Sequence, residues 1–301
     1  MLELKNPKIA VPVVLFAGLI WSFGPLVVRY MDNPSQIPWQ YIFGRGLTIF
    51  ILLNLYLYFE EGIKFWKNYL KIGKSGILGG SALGIAMITF IYSITNTSAA
   101  ITLLCLAAMP FFTALLAFIF LKEHITTNVW ISIFIATIGI TIMAFGSKGE
   151  SSLVGLVFGI TSSIGFSVFS VTLRWRKETP KFTTVAFAGF FCFVFATIMI
   201  LFKDQDFFAT SYNSTLFSLH GTLVCFGLIL YSIGSKAIPA AELTLLSLTE
   251  VVGGIFWVWL PLFGINEVPD TNTIIGGFFL FISLFYYSLI MRWNKRHIGL
   301  N

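Results

Sequence analysis

Apolar residues along this chain gather into ten long blocks, parted by short connectors of turn-forming and charged residues such as DNPSQIP, EEGIKFWKNYLK and GSKGE. The blocks cover residues 9–30, 37–59, 75–95, 98–121 and 128–146, then 152–175, 182–202, 214–235, 238–263 and 271–293. A helix needs about 20 largely apolar residues to cross a bilayer. The pattern therefore predicts ten transmembrane helices and an all-α integral membrane fold. Pro25 and Pro110 fall inside spans, where a missing N–H interrupts the helical bonding and predicts a kink. Gly80 with Gly84, and Gly155 with Gly159, are small-residue pairs that let helices approach closely.

The pattern also repeats. YSI occurs at residues 92–94 and again at 231–233, each time near the end of a span. SAAITLLCLAAMPFF follows the first copy and PAAELTLLSLTEVVG the second. A shift of 141 residues pairs Ala99 with Ala240, Leu104 with Leu245 and Met109 with Glu250. Glu123 and Asn128 likewise match Glu267 and Asn272, and WSFGPLVVR ending at Arg29 matches FSVFSVTLR ending at Arg174. Two repeats follow, over residues 9–146 and 152–293. Each holds an odd number of spans, so the second enters the membrane from the opposite side. Inverted repeats of this kind build many secondary transporters, with sites near the midplane between the repeats.

Composition agrees with a membrane chain: 57% of residues are hydrophobic and 11% charged, against about 25% charged in soluble domains. The net charge of +6 is not a nucleic-acid stripe, because the basic residues sit in segments between apolar blocks. Fifteen of the 19 Lys and Arg residues fall on one side of the ten-span topology if the N-terminus is cytoplasmic. That bias places both termini inside. Cys105, Cys192 and Cys225 lie in apolar blocks without zinc or redox spacing, and read as small buried hydrophobes. His124, His220 and His297 have no partner at metal-ligand spacing, so no metal site is expected. No phosphate-binding glycine loop or G-x-S-x-G occurs, which argues against ATP-driven transport by this chain alone. No cofactor is expected, and the first block is long enough to span and lacks a cleavage pattern after it.

WSFGPLVVR in the first span, Arg45 in the second, SAAITLLCLAAMPFFTALLAFIFLKEHIT in spans four and five, and PAAELTLLSLTE at the start of span nine resemble the drug/metabolite transporter superfamily, EamA-type branch. The resemblance covers nearly the whole chain. It implies five plus five helices around a central cavity that opens alternately to each side, in the bacterial inner membrane. Members of that family move amino acids, nucleotide sugars, vitamins, purines, quaternary amines and toxic organics. One departure stands out: the family's span nine leads to a Glu-Pro pair, whereas here Glu250 precedes Val251. The missing proline implies a straighter span nine.

Candidate site residues follow from charge and polarity inside the spans. A carboxylate in hydrocarbon costs roughly 3 kcal/mol or more, and Glu250 lies about halfway along span nine. It can carry a proton, bind a substrate cation or pair with Arg45. Arg45 sits between Gly44 and Gly46, which leave room for another backbone. Its alternatives are a structural ion pair or a side chain snorkelling to the interface. Trp21 and Trp257 lie well inside their spans, where packing competes with a cation–π wall. Tyr92 and Tyr231 are repeat mates near opposite faces, as gates or interfacial anchors. Ser247 accompanies Glu250, and Glu242, near Lys236, is a candidate gate.

The function expected is secondary active transport of a small amphipathic metabolite, an amino acid, amine or related compound, coupled to protons or to exchange. A quaternary-amine or drug-like cation transporter of the same fold is the alternative. An intramembrane lipid-processing enzyme is the competing class; it needs a paired-acid metal motif or a nucleophile–base pair that the spans lack. The partners expected are a small-molecule substrate, protons and the lipid bilayer, with no nucleic acid, and a homodimer is compatible with the chain.

Overall fold

The computed structural model describes residues 6–146, 153–176, 178–265, 267–268 and 271–298. Lys5, Lys148 and Lys177 of the loop-charge count, and most of the GSKGE connector, lie outside the described residues. So do the side chains of Arg292, Lys295 and Arg296.

Among the described residues every regular element is helical. Ten long elements follow one another, here α1 (Pro7–Arg29), α2 (Pro38–Glu61), α3 (Gly73–Asn96), α4 (Ala99–Leu121) and α5 (Thr127–Gly146), then α6 (Leu153–Trp175), α7 (Lys181–Phe202), α8 (Ser211–Gly234), α9 (Ala240–Trp259) and α10 (Thr271–Ile298). Eight have the length and hydropathy to cross a membrane, and α5 and α10 contain shorter apolar stretches, Thr127–Ile142 and Ile274–Tyr287. This is an integral membrane protein with the expected succession of ten helices. Large apolar side chains such as Phe118, Phe134, Phe202 and Phe278 stand exposed on the outside, as lipid-facing surfaces require.

Local sequence fixes the helix ends. Prolines in the first turn open α1 and α2, where the missing N–H is not needed. Side chains of Asn6, Ser98 and Thr210 accept from the backbone N–H groups of Lys8, Ile101 and Asn213, capping α1, α4 and α8. Lys122, with φ +57°, turns the chain out of α4.

Three spans are broken. α1 divides after Trp21 and resumes at Gly24, ahead of Pro25, and α4 divides after Leu106 and resumes at Met109, ahead of Pro110. Both breaks lie where the prolines predict them. α9 also divides, after Leu246, and resumes at Thr249. The expectation of a straighter span nine is therefore corrected. Hydroxyls stand in for the proline: Ser247 Oγ donates to the Thr244 carbonyl at 2.7 Å, and Thr249 Oγ1 donates to Leu246 at 3.1 Å and to Leu15 of α1 at 3.2 Å. The Leu248 and Glu250 N–H groups bond three residues back, to Leu245 and Ser247, a tighter turn than the α-helix. The breaks in α4 and α9 fall at matching places of the repeat.

Packing carries the same symmetry. The principal helix pairs are α3 with α6, α1 with α8, α2 with α7, α5 with α10, α3 with α7 and α2 with α8. Exchanging each helix with the one five later turns every pair into another of the set or into itself. Near the centre of the exchange, α2 crosses α7 backbone to backbone. A Cβ at Gly46 would stand 3.0 Å from the Gly189 carbonyl, and one at Gly189 would stand 2.9 Å from the Gly46 carbonyl. The room expected around Arg45 is thus filled by α7.

Candidate functional site: a charged cavity between the halves

A cavity of about 60 Å³ lies where the two sets of helices meet. That is space for several waters, each needing roughly 10–15 Å³. Trp21 of α1, Arg45 of α2, Phe90 of α3 and Met109 of α4 face it from one half; Phe166 of α6, His220 of α8 and Glu250 of α9 face it from the other. The α4 and α9 breaks place Met109 and Glu250, which are repeat mates, at the first turns of their second segments. Trp21 and Phe166 occupy matching positions in WSFGPLVVR and FSVFSVTLR, and their rings meet edge to face with centroids 5.6 Å apart. The site is therefore symmetric in outline and asymmetric in charge.

Arg45 is 5% exposed, and its Nε and Nη1 atoms are buried without a hydrogen-bond partner. Its Cζ lies 5.5 Å from the centroid of the Phe90 ring, a cation–π contact that leaves the guanidinium N–H groups unused. Glu250 lines the same cavity without closing to salt-bridge distance of Arg45. Behind them, the Tyr41 hydroxyl bonds His220 Nδ1, and the Tyr41 ring stacks on Phe217 at 5.0 Å. Buried polar atoms are nearly always satisfied, and the exceptions ask for a reason. A guanidinium and a carboxylate facing one small cavity can each receive a charged group of opposite sign.

The other candidates are placed as follows. Trp21 is held in the wall by its Nε1, which donates to the Val224 carbonyl at 3.2 Å. Trp257 is outside the cavity lining: its Nε1 donates to Ser22 Oγ at 2.8 Å and its ring stacks on Phe23 at 4.7 Å, bracing the α1 break. Tyr231 is fully buried behind Trp21 and Phe166, its hydroxyl 2.7 Å from Ser170 Oγ. Tyr92 packs on Trp39 and Phe158 at 5.2 and 5.1 Å. Ser247 is fully buried in the α9 break and acts on helix geometry. Glu242 accepts from the Tyr287 hydroxyl of α10, away from the cavity. Among the described residues, no three His, Cys, Asp or Glu side chains gather as metal ligands.

A model of the EamA-like transporter family matches residues 8–145, which span α1 to α5. That half of the chain is similar to the EamA-like transporter family. Similarity to curated relatives runs beyond the matched residues. A protein of Helicobacter pylori strain J99 named "uncharacterized transporter" is 26% identical over 259 residues, covering 82% of this chain and 84% of its own. The Bacillus subtilis "uncharacterized transporter YyaM" is 31% identical over 183 residues, covering 56% of each chain. A solved crystal structure superposes with a TM-score of 0.71, covering 96% of this chain and 99% of its own; at 16% identity this likeness is one of fold.

Sequence reasoning missed His220 and Phe90 among the cavity residues, and Tyr41, which stands behind His220. Tyr41 stands four residues before Arg45 on α2, one turn away on the same face, so its position was readable. His220, read only as lacking metal partners, is a buried polar residue in a span, which is a functional pointer by itself. Phe90 had no signal: among 33 phenylalanines, only the packing of α3 against α6 and α7 singles it out.

Proposed function

We propose that this chain is a secondary transporter that moves a small amphipathic metabolite across a bacterial inner membrane by alternating access. Both termini are cytoplasmic in this reading, which rests on the loop-charge bias and on the bacterial relatives. The observation that carries it is the pairing of Arg45 and Glu250 across one cavity, with guanidinium N–H groups left unbonded. A substrate carrying an amine meets Glu250, and one carrying a carboxylate meets Arg45. An amino acid satisfies both, with Trp21, Phe90 and Phe166 available to its apolar part. Between substrates, Glu250 carries a proton or turns to Arg45, which is how flux couples to a gradient.

Flux of labelled solutes into vesicles containing purified protein tests this reading. Glu250→Gln is expected to insert and purify as wild type but to lose at least about tenfold of the flux, a change of roughly 1.4 kcal/mol in the barrier. Wild-type flux and coupling in that variant would remove Glu250 from the site. The solute class is read by thermal shift of the purified protein with amines, carboxylates and amino acids in parallel. The aromatic wall favours a second reading, a quaternary-amine or drug-like cation as cargo, by cation–π attraction. Stabilisation by quaternary amines alone, unaffected by Arg45→Gln, decides for it.

A further inference from the structure

Two arginine clusters at opposite ends of the molecule share one plan. Arg29 closes α1. Its Nε and Nη2 donate to the Glu267 carboxylate at 3.4 and 3.2 Å. Its Nη1 donates to the Ile94 carbonyl at 3.1 Å, and Nη2 also to the Thr97 carbonyl at 3.2 Å. Arg174 sits in the last turn of α6. Its Nε donates to Glu123 at 2.6 Å, and its Nη1 to the carbonyls of Ser235 and Ile238 at 2.9 and 2.7 Å. Ile94 and Thr97 stand five and two residues before Ala99, where α4 begins; Ser235 and Ile238 stand five and two residues before Ala240, where α9 begins. The accepting atoms are therefore the same atoms of the repeat, although the side chains that bear them differ.

The origin of each partner matters more than the likeness. Each arginine binds the elbow carbonyls of its own half, α3–α4 for Arg29 and α8–α9 for Arg174. Each carboxylate comes from the other half: Glu267 follows α9, and Glu123 follows α4. Glu123 also accepts from the Ala240 N–H at 3.2 Å, at the start of α9. Helices alternate in direction along the chain, so the Arg29 cluster and the Arg174 cluster lie on opposite sides of the bundle, with the charged cavity between. The side chains of both pairs are a fifth to a third exposed, within reach of water when they part. Charged pairs of this exposure are weak enough to break and re-form within a working cycle. The carbonyl bonds keep the arginine in place while its carboxylate leaves.

We propose that Arg29–Glu267 and Arg174–Glu123 are the two gates of the cavity, each opened by separating the carboxylate of one half from the arginine of the other. The proposal rests on the transport reading above. It goes further in naming which atoms part at each end, and in assigning to Glu123 and Glu267 the same job on opposite sides. Both gates are closed in this structure.

Side-selective labelling tests it without any solute. Cys105, Cys192 and Cys225 are replaced by Ala, and Met87, which lines the cavity, becomes a cysteine reporter. A membrane-impermeant charged maleimide is applied to either face of oriented vesicles. Exposed Gln36→Cys and Glu178→Cys, in separate proteins, identify the face bearing Arg29 and the face bearing Arg174. Glu267→Gln is expected to raise the labelling rate at position 87 by about fivefold or more from the Arg29 face only. Glu123→Gln is expected to do the same from the Arg174 face only. The shorter Glu267→Asp and Glu123→Asp keep the charge and give smaller changes with the same sidedness, which covers a Gln variant that fails to fold. Rates unchanged from both faces, or raised equally from both, overturn the gates and leave the clusters as static ties. Selective labelling with no flux for any solute would sink the transport reading while leaving two-ended opening intact. Flux at wild-type levels with unselective labelling would sink the gates alone.

Discussion

The two halves of this chain are most alike where helices cross and least alike where they face the cavity. At the crossing, Gly46 and Gly189 approach each other's backbone at nearly equal distances. At the elbows, α4 and α9 divide within one residue of the matching place. At the cavity, Met109 faces Glu250, Trp21 faces Phe166, and Arg45 has Ala188 as its counterpart on α7 when Gly46 is matched with Gly189. Packing needs the symmetry, because both halves share one set of contacts. Chemistry breaks it: the cavity holds one carboxylate and one guanidinium, the pair that the proposed transport reading uses to orient an asymmetric solute.

The largest effect should come from erasing that chemical difference. Glu250→Met copies Met109 into the second half and leaves the buried Arg45 without a carboxylate in its cavity. Breaking a buried contact pair costs on the order of 3 kcal/mol; across the cavity the loss should be a fraction of that, larger for Met than for the polar Gln, so the variant should melt below wild type and transport nothing. Adding Arg45→Leu should restore much of the melting temperature but none of the flux. A double variant no more stable than Glu250→Met alone would show that the two charges do not sense one another. The next effect tests the symmetric part. Gly46→Ala and Gly189→Ala each push a Cβ to 3.0 Å or less of facing backbone, and overpacking of that kind costs typically about 1–3 kcal/mol. Their losses in thermal unfolding should be equal within error. A large inequality would mean that the crossing is not the shared pivot.

The sequence made the symmetric layer legible because hydropathy and repetition are local signals. Ten apolar blocks became ten helices, with ends displaced by a few residues. Arg29 and Arg174, Glu123 and Glu267 were visible as matched letters, but not that each arginine bonds the other half's carboxylate. That requires knowing which connectors meet in space. Arg45 and Glu250 stood out because charge in hydrocarbon needs a reason, and both line the cavity. Trp257 was misplaced from cavity to α1 because helical spacing gives a face without saying what the face meets. The α9 break was missed because proline was taken as the sole breaker, whereas Ser247 and Thr249 supply the alternative bonds.

A moderate effect should separate the two arginine clusters. The Arg174 cluster has the shorter bonds, 2.6 to 2.9 Å against 3.1 to 3.4 Å, and Glu123 also holds the Ala240 N–H. Hydrogen bonds to charged groups contribute about 1.5–3 kcal/mol each when well formed. Arg174→Gln should therefore lower the unfolding temperature more than Arg29→Gln, by a difference of about 1 kcal/mol. Equal losses would place the two ends on the same footing and erase the asymmetry.

The smallest effect sharpens the comparison of elbows. α4 breaks ahead of a proline and α9 breaks without one, within one residue of the matching place, so a break there does not require proline. Each is held by what surrounds it: for α9, the Thr249 Oγ1 bond to Leu15 of α1 and the Ser247 bond to Thr244. For α4, the Ala107 N–H reaches back to Leu103 and Leu104, the Ala108 N–H bonds Cys105, and the Ser167 hydroxyl of α6 donates to the Met109 carbonyl at 3.1 Å. Pro110→Ala should accordingly keep the elbow and change stability by no more than about 1 kcal/mol. The backbone N–H that this substitution creates at position 110 reports the outcome through hydrogen exchange. If the elbow persists, that amide lacks the partner four residues back and exchanges quickly. If α4 straightens, it gains the Leu106 carbonyl and becomes protected, and the cavity would lose the turn that presents Met109 opposite Glu250.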